Sequence, residues 1–209
     1  MDTTKLIPEV LAPAGDEERL IAALRFGADA VYVSGQSFGM RMACANFDYE
    51  ALERAVKLTH EMGKKLYVTC NILPRNKDLD VIPEYFAFLN RIGVDALIIQ
   101  DLNLLQYDLP PIRLHASTQC DNRTPEQVLH LQQMGFRRVV LARELSLKEI
   151  KDISNAIHNS KFKIELEAFV HGALCVSYSG RCYLSEVLMD RSANRGCCAQ
   201  LCRQRYDLL

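Results

Sequence analysis

The chain predicts an α/β fold, a (β/α)8 TIM-like barrel that stops after about seven strand–helix units. Three observations carry this expectation. A short apolar, β-rich run followed by an amphipathic run recurs about seven times. Strands alternating with helices of this length form right-handed βαβ units and hence a parallel sheet. The turn after the first strand, APAGDEER, is not the GxGxxG of a nucleotide-binding open sheet, which disfavours that fold. An eighth strand is missing before Leu209, so residues 1–209 read as a single barrel domain and as the N-terminal part of a longer protein.

The elements follow in order. Val10 to Ala12 is a first strand, and Asp16 caps a helix reaching Phe26, closed by Gly27. Asp29 to Val33 is the second strand; a loop from Gly35 to Asn46 leads to Asp48, the cap of a helix ending near Gly63. Lys65 to Cys70 is the third strand, and a helix spans about Leu79 to Ile92. Asp95 to Gln100 is the fourth, followed by a short helix that Pro110-Pro111 breaks. Ile112 to Ala116 is the fifth, and Thr124-Pro125-Glu126 starts a helix with proline at its first position. Arg138 to Ala142 is the sixth; Ser146 with Glu149 forms a capping box for a helix to about Ala156. Lys163 to Val170 is the seventh strand.

Composition bounds the function classes. With 209 residues, 49% hydrophobic, the chain buries a sizeable core. A net charge of −1 removes any global electrostatic argument for nucleic acid or membrane, so such an argument rests on local patches. No apolar run approaches the roughly eighteen residues of a membrane span. The N-terminus lacks the basic start and apolar centre of a signal peptide, so a cytoplasmic protein with reduced thiols is expected.

Barrel chemistry sits where strands end. The polar candidates there are Arg41, Asn71, Asp101, His115, Gln119, Arg143, Glu144 and His171. His115 and His171 stand out because they follow apolar strands directly. Polar strand ends also cap helices and tie loops in every parallel barrel, so each residue is weighed against that ordinary role.

Residues 171–205 hold Cys175, Cys182, Cys197, Cys198 and Cys202 among Arg181, Arg191, Arg195, Arg203 and Arg205. The remaining cysteines, Cys44, Cys70 and Cys120, stand singly. Six residues separate Cys175 from Cys182, fifteen separate Cys182 from Cys198, and three separate Cys198 from Cys202. This is neither a zinc-ribbon CxxC pair nor a ferredoxin run. Gly172, Gly180 and Gly196 supply turns that bring thiolates together, so an iron–sulfur site ranks ahead of zinc. Neighbouring arginines favour the thiolate and also suit RNA phosphate.

The stretch EAFVHGALCVSYSGRCYLS resembles the signature of the collagenase-like peptidase family (peptidase family U, number thirty-two). LAPAG, GADAVYVSG, FGMR, ANF, GKKLYVTCN, VDALIIQD, HASTQ, VVLARELSL and RSANRGCCAQLCR match further family blocks across the chain. The resemblance implies an oxygen-independent hydroxylation enzyme acting on a pyrimidine in RNA, with ribosomal RNA cytidine ahead of transfer RNA uridine and prephenate as hydroxyl source. It implies a 4Fe–4S cluster whose first three ligands match Cys175, Cys182 and Cys198, with the fourth family ligand beyond Leu209 and Cys202 as a substitute. Cys197 departs from the residue usual before CAQ. Arg41, Arg143 and Arg181 are candidates for an anionic donor, joined by Asn71 and Gln119 as substrate-binding residues. The alternatives are a peptidase, with a metal site built from His115, Glu144 and His171, and a structural partner of a hydroxylase complex. Seven strands leave an open seam, so either a homo- or hetero-dimer covering it or a marginal fold is expected.

Overall fold

The computed structural model describes residues 7–40, 46–161 and 163–206. Seven parallel strands lie in sequence order: β1 (Leu11–Pro13), β2 (Ala30–Ser34), β3 (Lys65–Cys70), β4 (Ala96–Ile99), β5 (Arg113–Ala116), β6 (Arg138–Val140) and β7 (Glu165–Glu167). Each strand pairs with the next, for example Tyr67 with Ala96 and His115 with Arg138. The sheet curls into a partial barrel whose two edges are β1 and β7.

Helices α1 (Glu17–Arg25), α2 (Tyr49–Glu61), α3 (Asn76–Leu79), α4 (Ile82–Arg91), α5 (Pro125–Gln133) and α6 (Leu147–His158) cross between the strands. Their starts are dictated locally. The side chains of Asp16, Asp48, Thr124 and Ser146 accept from backbone amides three residues on, and Gln127 and Glu149 complete reciprocal boxes with Thr124 and Ser146. The expected helix over 79–92 is α4, which starts at Ile82 with Pro83 in its first turn, and the short α3 precedes it as a separate turn.

Side-chain alternation separates two cores. Val31, Val33, Leu66, Val68, Leu97, Ile99 and Val139 face outward and pack with helix residues such as Leu20, Leu52, Phe86, Val128 and Ile153. Ala30, Tyr67, Ala96 and Ile98 face inward with Leu11 and Tyr32. Fully burying side chains such as Phe86 or Leu97 contributes about 1.5–3 kcal/mol each, so the outer layer holds the sheet's shape.

The lower inner face is charged. Arg138 at the start of β6 meets Glu9 at 2.7 Å, Glu165 at 2.5 Å and Glu167 at 3.3 Å. Glu9 also accepts from Lys65 at 2.7 Å and from the Tyr67 hydroxyl at 2.8 Å. Burial works to raise the Glu9 carboxyl, but the hydrogen bonds from Arg138, Lys65 and Tyr67 outweigh it and hold the group at about 2. Burial raises Glu167 above its ordinary range despite its Arg138 bond. Glu9 precedes edge strand β1 while Glu165 and Glu167 lie on edge strand β7, so one guanidinium ties both edges of the open sheet.

Candidate functional site at the strand ends

The carboxyl ends of β3, β4, β5 and β6 carry a linked polar set. Asn71 follows β3; its carbonyl oxygen accepts from the Met40 amide at 3.3 Å, and its amide nitrogen donates to the Ser117 hydroxyl at 3.3 Å. Asn122 donates to the Ser117 and Val140 carbonyls, both at 2.8 Å. Thr118 donates to the Leu141 carbonyl at 3.0 Å and lies 3.3 Å from the Ser179 hydroxyl. Gln100, one position past β4, is buried, and its side-chain oxygen has no hydrogen-bond partner among the described residues. The Arg143 Nε after β6 is likewise buried without a partner among the described residues.

The cysteine-rich segment docks on this platform through one turn. The Ser179 amide and hydroxyl both donate to Glu144, at 3.1 and 2.9 Å. Burial pushes the Glu144 carboxyl up, and the Ser179 donors with Arg123 bring it below its ordinary range. Gly180 sits at φ +74° against the Gln119 carbonyl, where an added Cβ would lie 2.0 Å from that oxygen. Only a residue without Cβ permits this approach. Asp121, itself left-handed at φ 60° and buried, pairs with both Arg123 and Arg181. Arg123 stacks over the Tyr178 ring with its carbon 4.2 Å from the centroid. A second anchor lies beside α3: Arg195 bonds the Leu73 carbonyl at 2.5 Å and Asp78 at 2.8 Å, and Leu73 donates to the Asn194 carbonyl at 3.1 Å.

The structure places the predicted site residues in different environments. His115 does not reach the mouth. It lies within β5 facing inward, 3% exposed, edge-on to Tyr67 with ring centroids 4.8 Å apart. Burial, aided by Arg138, draws it down to about 3, so it is neutral, and its Nδ1 has no partner among the described residues. His171 stands in solvent, because β7 ends at Glu167 rather than reaching Val170. Glu144 is engaged by Ser179. Thus His115, Glu144 and His171 do not form a metal-holding group. Arg41 and Cys44 lie outside the described residues. Asn71 and Gln119 act as scaffold here, one by its side chain and the other by its backbone.

The thiols divide clearly. Burial pushes Cys70 up and Cys120 to about 12, so neither offers a thiolate. Cys175, Cys198 and Cys202 are exposed and Cys182 half-buried. Cys198 Sγ accepts from the Gln200 amide at 3.4 Å and lies 4.0 Å from the Ser185 hydroxyl, an acceptor role suited to a ligand sulfur. The donor chemistry therefore suits a cluster, but among the described residues no three Cys, His, Asp or Glu side chains converge on a metal position. Helix α7 (Leu184–Met189) separates Cys182 from Cys198, and Val187, Leu188 and Met189 on it are exposed.

Sequence reasoning missed Asp121, Arg123, Ser179, Arg138 and Glu9. The only local signal was the glycine at position 180 after a serine; the charge pairings are long-range in sequence. The profile of peptidase family U32 matches residues 15–209. The chain belongs to peptidase family U32. This U32 chain is 44% identical over 200 residues to the 23S rRNA 5-hydroxycytidine synthase of Escherichia coli (strain K12), covering 96% of itself and 30% of that protein. It is 40% identical over 204 residues to tRNA hydroxylation protein P1 of Bacillus subtilis (strain 168), covering 96% and 47%. It thus spans less than half the length of these relatives. Among solved structures, the U32 peptidase Mk0906 shares the fold at a TM-score of 0.63 and 13% identity, over 80% of this chain and 70% of that one. No helix among the described residues is long and apolar enough to cross a membrane.

Proposed function

We propose that this U32 chain is the barrel portion of a cytoplasmic enzyme that hydroxylates a pyrimidine of RNA without molecular oxygen, a cytidine of ribosomal RNA first and a uridine of transfer RNA second. The observation that supports it best is the arginine-rich segment docked across the strand ends, in a chain 44% identical to a protein named for ribosomal cytidine hydroxylation. Residues 171–206 carry five arginines against Glu186 and Asp190, the local charge a phosphate backbone requires.

Hydroxylation at C5 replaces C–H by C–OH, a two-electron oxidation of the base, so without molecular oxygen it balances against a donor that gives up its hydroxyl, takes the hydrogen in its place and is itself reduced by two electrons. Prephenate is the donor proposed, and its carboxylates suit guanidinium forks. Arg143 supports this role, since its Nε is buried without a partner among the described residues. Arg181 and Arg41 are the other proposed contacts. A 4Fe–4S cluster is proposed on Cys175, Cys182 and Cys198, completed by Cys202 or by a residue outside this chain; zinc is the weaker alternative. Such a cluster supplies electron transfer or a Lewis-acidic iron when bound. The described thiols do not converge, so its assembly requires the cysteine-bearing stretches on either side of the docked Tyr178–Arg181 turn to rearrange. A dimer, with itself or a paired protein, is proposed to cover edge strands β1 and β7 and the exposed Val170, Leu174 and Val176.

The reading is tested by mass spectrometry of nucleosides from ribosomal and transfer RNA of a strain lacking the gene. Loss of one hydroxylated pyrimidine, restored by the full-length gene, is expected; retention of all of them sinks the reading. Iron and sulfide of about four each per full-length chain, prepared without oxygen and lost in a Cys175→Ala/Cys182→Ala variant, is the expected cofactor result. The peptidase alternative gains no support from the geometry, in which His115, Glu144 and His171 stay apart.

A further inference from the structure

The turn that roots the cysteine segment turns two side chains outward. Ser179 is fully buried and held by Glu144, and Gly180 is pressed against Gln119, so the turn is fixed at its centre. On either side, Tyr178 is 60% exposed and the Arg181 side chain 64% exposed. These are not loose surface groups. Arg123 covers one face of the Tyr178 ring at 4.2 Å, and the same buried Asp121 carboxylate grips Arg123 through one oxygen and Arg181 through the other. An aromatic face backed by a cation, beside a second cation held by the same carboxylate, offers the two contacts one base and its phosphate need.

Resting on the RNA reading above, we propose that Tyr178 and Arg181 form a clamp for an unpaired nucleotide of the RNA substrate, with Tyr178 stacking on a base and Arg181 pairing with the adjacent phosphate in place of a donor carboxylate, which leaves the donor to Arg143 and Arg41. Asp121 and Arg123 are positioning residues. The site takes single-stranded RNA because a base inside a duplex presents no free face to an aromatic ring. An unpaired base held here lies on the turn that Thr118 and Glu144 dock at the strand ends, where Gln100 and Arg143 each keep a buried polar atom without a partner among the described residues. The clamp thus assigns substrate presentation to a turn whose residues do not ligate the proposed cluster.

The test uses the full-length protein and a fluorescein-labelled single-stranded RNA of about ten nucleotides, with the matching duplex as control, followed by anisotropy over a salt series. The wild type is expected to prefer the single strand. Tyr178→Leu, which keeps an apolar side chain without a ring, weakens single-strand binding about tenfold or more, and Tyr178→Phe restores it. Arg181→Gln weakens binding and lowers the slope of log affinity against log salt by about 0.7. Wild-type levels of binding by both Tyr178→Leu and Arg181→Gln, while the wild type binds RNA, overturn the clamp alone. No binding of RNA by the wild type overturns the clamp together with the RNA reading. If Tyr178→Leu fails to fold, the exposed Arg181→Gln decides by its salt slope: an unchanged slope overturns the clamp.

Discussion

Arg138→Met should be the most informative single change to the barrel. The guanidinium contacts three carboxylates on the inner face, Glu9 at 2.7 Å, Glu165 at 2.5 Å and Glu167 at 3.3 Å. Burial alone would lower Arg138, but Glu9 and Glu165 raise it above its ordinary range, so the cation is firmly held. Methionine fills similar space and leaves the carboxylates without their shared partner. Removing one member of a buried pair costs about 3–5 kcal/mol; Lys65 still neutralises Glu9 and Glu165 is half in water, which brings the expected loss to about 2–4 kcal/mol. For a domain of this size that lowers Tm by about 5–15 °C. The pH dependence is the sharper test. Glu9 is held at about 2 from an ordinary 4.5, so its contribution is complete above pH 4.5 and is lost as pH falls towards 2. Partial exposure limits that contribution to about 1–2 kcal/mol. In the variant Glu9 loses this partner, and protonated carboxyls need no cation. The gap between wild type and Arg138→Met, read from urea unfolding, should therefore be wide at pH 7 and narrow at pH 3. A gap that is equal at both, or below about 0.5 kcal/mol at pH 7, would refute the reasoning. Pairing the change with Glu9→Gln should recover part of the loss, since one uncompensated charge goes with it.

Three further outcomes follow from the same geometry. Gly180→Ala combines φ +74° with a Cβ 2.0 Å from the Gln119 carbonyl, so it should cost about 2–4 kcal/mol and free Cys182 and Tyr178 to limited proteolysis; an unchanged melting curve and digestion pattern would rule out tight docking of the turn. His115 is neutral with its folded value near 3 against an ordinary 6.5, so it contributes stability above pH 6.5 that is lost as pH falls from there towards 3; His115→Phe should flatten the slope of stability between pH 6.5 and 5, and an identical slope would show that the imidazole is accessible to protons. In folded protein prepared free of any cluster a thiol reagent should label Cys175, Cys198 and Cys202 quickly and Cys70 and Cys120 only on unfolding, as followed by peptide mass spectrometry; fast labelling of Cys70 would contradict its burial beside the outer core.

The sequence by itself determined the alternation of strands and helices, because each signal is local. A carboxylate or hydroxyl at the N-cap, an apolar stripe of helical period and a glycine after the last turn act within a few residues, and α1, α2, α5 and α6 start at the predicted caps. It also determined membership of family U32, since the quoted blocks run through the whole chain. The tertiary structure decided which polar residues share a site. His115 faces the inner core because β5 alternates sides with a period of two, and His171 is left in solvent because β7 stops at Glu167. Arg138 and Glu9 are 129 residues apart in the chain, and Glu144 and Ser179 are 35 apart. Only the curl of the sheet brings such partners within hydrogen-bond distance, and a charge pair has no periodicity from which its partner can be read. The cysteine segment stands between these cases: its thiols are plain in the sequence, while their position over the strand ends rests on Ser179, Gly180 and Asp121, whose roles depend on surfaces supplied by β5 and β6.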